Sequence, residues 1–178
     1  MKDTILIGAT GFLGSRIAEK HNSIICPLRF EDSALQWQEF ANKNPNAKNI
    51  ILLGRSCRKT SPRRDRHTML NEVSGVSKIL AAFPDTHIIF ASTKVVYGLT
   101  DNSVNEISRD EVIGYILKSL SGQFINTTVD LPLTLFNKAS LDTLGLEHQI
   151  YAHTKLCDES LIRYCAKSFT IFRIWDIV

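Results

Sequence analysis

Tyr151 and Lys155 lie four residues apart in the segment YAHTK, so on a helix they share one face and the ammonium reaches the neighbourhood of the phenol. A free tyrosine titrates near pH ~10, too high for a base at neutral pH, and a nearby positive charge favours the phenolate. The same spacing also describes a surface tyrosine with a lysine snorkelling one turn on. The pair gains meaning only from what accompanies it. One companion is the hydroxyl pair Ser92 and Thr93 in FASTKVVYG, where a hydroxyl can donate to a reacting oxygen or simply cap the end of a strand. The other is the turn GATGFLG, with Gly8, Gly11 and Gly14. Glycines at these positions let backbone N–H groups and a helix N-terminus come close to a pyrophosphate, and Thr10, Phe12 and Leu13 belong to the same turn.

The elements that must position these residues follow from hydrophobic pattern. TILIG at 4–8 is an apolar run that breaks into the glycines, and Phe12 to Lys20 follows with helical spacing at Leu13, Ile17 and Ala18. Ser23 to Leu28 reads as a second strand and Glu31 to Asn42 as an amphipathic helix, stopped before Pro45. NIILLG at 49–54 and HIIFAS at 87–92 are nearly uninterrupted apolar runs, the pattern of strands buried on both faces. Between them a helix over about 68–83 is predicted, with Leu70, Val73, Val76, Ile79 and Leu80 as its apolar positions. Asp110 to Leu120 reads as helix, Gln123 to Asn137 is β-prone around Pro132, Leu146 to Lys167 is a long helix, and Phe169 to Trp175 is a last strand. Strands alternating with helices predict an α/β fold, a doubly wound parallel sheet of Rossmann type. In that context the glycine turn follows the first strand and opens the first helix, which points to dinucleotide binding rather than a mere tight turn.

Which dinucleotide depends on the end of the second strand, where an acidic side chain would bond a ribose 2′-hydroxyl and a basic one a 2′-phosphate. The sequence there is CPLRFED. If Leu28 ends the strand, Arg29 is the first side chain in reach and NADP is favoured. If the chain turns later, Glu31 or Asp32 takes the place and NAD is favoured. Gly54 ends the third strand at the same edge. Just beyond it, residues 55–66 carry Arg55, Arg58, Lys59, Arg63, Arg64 and Arg66 against Asp65 alone. This loop is either solvated or an anion site for a diphosphate or 2′-phosphate.

The 178 residues are 44% hydrophobic and 22% charged with a net charge of +3, the balance of one folded domain over 1–178 rather than a disordered chain. With the positive excess confined to one loop, a general nucleic-acid partner is not expected. No apolar run reaches the roughly 18–20 residues of a membrane span, and the N-terminus lacks a leader pattern, so a cytoplasmic protein without membrane contact is expected. Cys26, Cys57, Cys157 and Cys165 show no CxxC spacing and read as reduced, structural thiols, with no metal site.

Taken together, GATGFLG, NEVSGVSKILAAF leading into FASTKVVYG, YAHTK and FRIWDIV resemble the extended short-chain dehydrogenase/reductase family, in its NAD-dependent epimerase/dehydratase branch acting on nucleotide sugars. The resemblance spans the chain in the family's order. It implies Thr93 as the catalytic hydroxyl with Ser92 in reserve, Tyr151 as acid/base, and Lys155 as the residue that lowers its pKa and binds the nicotinamide ribose. The implied cofactor contacts are Gly8, Thr10, Gly11, Phe12, Leu13, Gly14, Arg29, Gly54, Tyr151 and Lys155, the implied cofactor NADP or NAD, and the implied assembly a homodimer. Sugar 4,6-dehydratases of this family carry an Asp-Glu pair after the hydroxyls, where this chain has Lys94 and Val95. The resemblance therefore implies epimerisation or carbonyl reduction of a nucleotide-activated sugar. A non-catalytic dinucleotide-binding module is the competing class, and simple NADPH-dependent reduction of another small carbonyl substrate is a third reading. Between Gly14 and Asn49 there is room for one strand and one helix, fewer than the family usually fits, so the sheet is expected to lack a strand. Residues 99–146 are expected to be an insertion, a lid or dimer element, and the chain to carry little or no C-terminal substrate domain.

Overall fold

The computed structural model describes residues 2–53, 66–98, 107–132, 141–144, 146–174 and 177. In chain order the elements are β1 (Thr4–Ile7), α1 (Phe12–Lys20), β2 (Ile24–Ile25), α2 (Ala34–Lys43), β3 (Asn49–Leu52), α3 (Arg66–Ala82), β4 (His87–Thr93), a 3-10 helix (Lys94–Tyr97), α4 (Arg109–Ser119), β5 (Thr127–Leu131), a second 3-10 turn (Leu141–Thr143), α5 (Leu146–Cys165) and β6 (Ser168–Ile174). The six strands form one sheet in the order β2-β1-β3-β4-β6-β5, all parallel.

Successive strand residues feed opposite cores, which is why the strand sequences are apolar at nearly every position. Ile5, Ile50, Ile88 and Ile171 meet Trp37 of α2, Ile79 of α3 and Ile162 of α5 on one face. Leu6, Ile51, Ile89 and Phe172 meet Ile17 of α1 and Val112, Ile113 and Ile116 of α4 on the other. The doubly wound arrangement expected from the pattern is the one observed.

Several boundaries differ from expectation for local reasons. β2 is two residues long, not six. Cys26 N–H still donates to Leu6 O, but the next acceptor in line, the carbonyl of Gly8 just past β1, accepts from Gly11 N–H at 3.0 Å, and the ladder stops there. α2 begins at Ala34 rather than Glu31 because Ser33 and Gln36 form a reciprocal capping box. Ser108 and Glu111 do the same for α4. No further strand lies between β2 and β3, as the short interval implied. Within the expected insertion, α4 and β5 fold onto the sheet itself, β5 pairing along β6.

The inner face of α3 is also rotated from the expected one. Leu70 is exposed and Val73 half-buried, whereas Glu72, Gly75, Val76, Ile79 and Leu80 are buried. Gly75 is required because a Cβ there would lie 2.4 Å from the Phe30 Cβ. Among the cysteines, Cys26 is the packed thiol, with burial pushing it up to about 11. Cys157 and Cys165 are exposed and free, so a structural role in packing fails for these two, and Cys57 lies outside the described residues. Among the described residues no group of His, Cys, Asp and Glu could hold a metal, and no helix is long and apolar enough to cross a membrane.

Candidate functional site

Because every strand is parallel, the turn after β1, the segment after β2 and the end of β4 emerge at one edge of the sheet. β2 and β3 leave β1 on opposite sides, and that reversal of strand order opens a crevice at the same edge. The glycine turn sits at its mouth. Gly8 has φ 90°, a conformation that glycine reaches without strain. Gly11 is the N-cap of α1, with no side-chain cap and no acidic residue in the first turn, so the helix N-terminus is not neutralised by its own side chains. Thr10, Gly11 and Phe12 are exposed, Leu13 is half-buried, and the Arg109 guanidinium covers the Phe12 ring at 4.9 Å. Gly14 is buried for a separate reason: a Cβ there would fall 2.0 Å from Gly8 O and 2.9 Å from Ala9 Cα. Gly14→Ala should therefore push α1 off the turn and lower unfolding free energy by at least about 1–3 kcal/mol, read from the denaturation midpoint in urea.

Four residues beyond the end of β2, Arg29 is exposed in a tight turn. Its N–H donates to Asp32 Oδ2 at 2.7 Å, and Asp32 N–H donates back to Arg29 O at 3.0 Å. Lys78 of α3 pins the same turn by donating to Phe30 O and Asp32 O at 2.8 and 2.9 Å. The Asp32 carboxylate is thus engaged within the turn, while the Arg29 side chain faces solvent. Gly54 and the basic segment 55–65 lie outside the described residues.

β4 and α5 carry the reactive candidates. Tyr151 is half-buried, and the Lys155 Nζ lies 5.9 Å from its ring centroid and 4.7 Å from that of Phe90 on β4. Lys155 is only 3% exposed and donates to Glu72 Oε1 of α3 at 2.6 Å. Burial opposes its charge, but Glu72, then Tyr151 and Asp158, outweigh burial and hold the ammonium above its ordinary range. Thr93 ends β4, and its Oγ1 accepts from Val95 N–H at 3.3 Å, capping the 3-10 helix. Capping uses an acceptor site and leaves the hydroxyl proton available for donation. Ser92 does not share that position: its hydroxyl donates to buried Glu159 Oε1 at 2.7 Å.

Glu159 is the centre of a polar network that the sequence pattern does not announce. Arg173 of β6 donates to both its oxygens, at 2.9 and 2.6 Å, and Arg163 adds a contact at 3.0 Å. Arg173 also donates to the Tyr97 hydroxyl, which donates to Asp130 of β5 at 3.1 Å. Lys94, where the dehydratase pair would begin, is buried and donates to Pro132 O at 2.7 Å, its charge disfavoured by burial. The signals available in the sequence are carboxylates at inward helix positions. Glu72 stands four residues before Val76 on the buried stripe of α3, and Asp158 stands seven after Tyr151 on its face of α5.

Neither protein-family models nor curated proteins match the sequence. Solved structures do match its fold. A Bacillus anthracis dTDP-4-dehydrorhamnose reductase in complex with NADP is 17% identical with a TM-score of 0.60, covering 98% of this chain and 54% of that one. A Brucella ovis UDP-glucose 4-epimerase in complex with NAD is 15% identical with a TM-score of 0.57, covering 97% of this chain and 51% of that one. A short-chain dehydrogenase/reductase superfamily protein from Agrobacterium tumefaciens with bound NAD gives 17% and 0.53, covering 96% and 48%. The chain thus shares their Rossmann-type fold and spans about half the length of each.

Proposed function

We propose that this chain binds NADP or NAD at the carboxyl edge of its sheet and acts as an oxidoreductase or epimerase on a nucleotide-activated sugar, within the extended short-chain dehydrogenase/reductase family. The observation that carries the reading is the juxtaposition of Tyr151 and Lys155 on α5 beside β4, at the sheet edge that also bears an uncapped glycine-turn helix. The fold likeness to the reductase and the epimerase supports it.

The residues fit such a cofactor. Gly8, Thr10, Gly11, Phe12 and Leu13 would present backbone N–H groups to the pyrophosphate, with Gly14 letting the helix close on the turn. Lys155 would hold the nicotinamide ribose, and Gly54 would lie near it. When bound, the group would supply a hydride acceptor or donor. Tyr151 would exchange a proton with the substrate hydroxyl or carbonyl, and Thr93 would donate to the same oxygen. A homodimer and a role for the basic segment 55–66 in gripping a diphosphate belong to the same proposal, as does the cytoplasm as its compartment.

NADP is the favoured cofactor, because Arg29 is exposed in the turn after β2 while the Asp32 carboxylate is tied to the Arg29 N–H, which leaves exposed Glu31 as the competing carboxylate. Titration with NADPH and NADH, followed by nicotinamide fluorescence and by thermal stabilisation, tests both claims. NADPH is expected to bind more tightly, and Arg29→Glu to weaken NADPH by roughly tenfold to a hundredfold relative to NADH, the worth of a charge-assisted hydrogen bond. A chain that binds neither dinucleotide would be a Rossmann fold kept for another use.

A further inference from the structure

Close to Lys155 the protein buries two carboxyl groups that the acid/base reading does not use. Glu72 of α3 is 4% exposed and 2.6 Å from Nζ, and Asp158 of α5 is 0% exposed and 4.0 Å from it. One ammonium balances one carboxylate, so two ionised carboxylates here would leave a buried negative charge uncompensated. As a carboxylate, Asp158 has no hydrogen-bond donor at either oxygen. As an acid it can donate to Glu72. Burial pushes Asp158 up to about 8, with Lys155 opposing and Glu72 and then Glu159 adding to the rise.

We propose that Glu72 and Asp158 are the positioning residues of Lys155: the two carboxyl groups share a single proton, and only in that state does the ammonium stay beside Tyr151, able to hold the ribose of a dinucleotide. This rests on the dinucleotide reading above. A lysine has three N–H donors, of which Glu72 takes one. When the shared proton leaves to solvent, Asp158 becomes a second anionic acceptor one turn along α5 and draws the remaining donors away from the ribose. Among the described residues, several other titratable groups near α5 have partners of their own. Glu159 faces Ser92, Arg163 and Arg173, while Lys94 faces Pro132 and Tyr97 faces Asp130. The face of Phe90 fills the space against Nζ from β4.

The test is NADPH titration of the full chain from about pH 6 to about pH 9, for wild type, Asp158→Asn and Glu72→Gln, with melting temperatures measured without cofactor from about pH 4 to about pH 9. Wild-type affinity is expected to fall about tenfold once the pH is one unit above release of the shared proton. Asp158→Asn, which cannot ionise, should show no such fall, and Glu72→Gln should bind more weakly throughout. Because folding raises the Asp158 pKa, wild-type stability drains as pH rises from about 4 to about 8, so the melting temperature of Asp158→Asn should pull ahead over that range. Identical pH dependence of binding in wild type and Asp158→Asn overturns the positioning role. Parallel melting curves overturn the shared proton. A wild type that binds neither NADPH nor NADH overturns the dinucleotide reading and the positioning role with it, while the melting comparison still decides the proton.

Discussion

Glu159→Ala should cost about 3–5 kcal/mol of stability, the range for removing one partner of a buried ion pair. The carboxylate is 2% exposed and accepts from Ser92, Arg163 and twice from Arg173. Truncation leaves the Arg173 guanidinium half-buried without its counter-charge and Ser92 without its acceptor. Against a typical total of about 5–15 kcal/mol, such a loss brings the protein close to unfolding at room temperature. Burial opposes the charge on Glu159, but Arg173 and Ser92 hold its carboxyl below its ordinary value of 4.5. A depressed carboxyl contributes stability that is complete above that value and is lost as pH falls through the lower folded-state pKa. Urea denaturation at neutral and acid pH should therefore show a large gap between wild type and Glu159→Ala near pH ~7 that narrows below pH ~4. A neutral-pH gap under about 1 kcal/mol would mean that the arginines find other partners.

Tyr151→Phe should lower turnover by about 10²–10⁴, the usual worth of general acid–base catalysis. The substitution keeps a ring beside the Lys155 ammonium, since the 5.9 Å contact is made to the ring and not to the hydroxyl. What it removes is the proton carried by the phenol. If Tyr151 acts only in the chemical step, kcat falls while KM and dinucleotide affinity hold. Steady-state kinetics on a screen of nucleotide sugars, with single-turnover reduction of a keto-sugar where one is found, separates these quantities. A Tyr151→Phe variant as fast as wild type on a verified substrate would remove Tyr151 from the chemistry and favour a different proton carrier.

Features whose cause lies within a few residues were legible in the sequence. α1 begins and ends where its spacing predicts, and the turn before it is dictated by glycines that the backbone demands. The pairing of Tyr151 with Lys155 is set by one helical turn. Features that depend on distant chain segments were not legible. The apolar residues of α3 alone point to a different inward face, because Glu72 is drawn inside by Lys155, 83 positions away. Glu159 likewise depends on Ser92, 67 positions away, and Asp130 on Tyr97, 33 away. A carboxylate inside a helix reads as solvent-facing until its partner is known. The length of β2 escapes the local pattern because the competing donor belongs to the glycine turn that follows another strand. The placement of β5 outside β6 could not be read from chain order at all.

That placement bears on how the molecule is made. Of the six strands described, β6 is the last in chain order, yet it lies between β4 and β5 and pairs with both along their lengths. Until residues 168–174 are in place, β4 and β5 each present an open edge, and α4 has a sheet only partly built beneath it. A nascent chain ending before Ser168 thus carries two unmated edges with nothing of its own to insert between them, which exposes it to pairing with other chains. Joining β4 to β5 in this sheet waits for that segment, which also brings in Arg173, the counter-charge of Glu159.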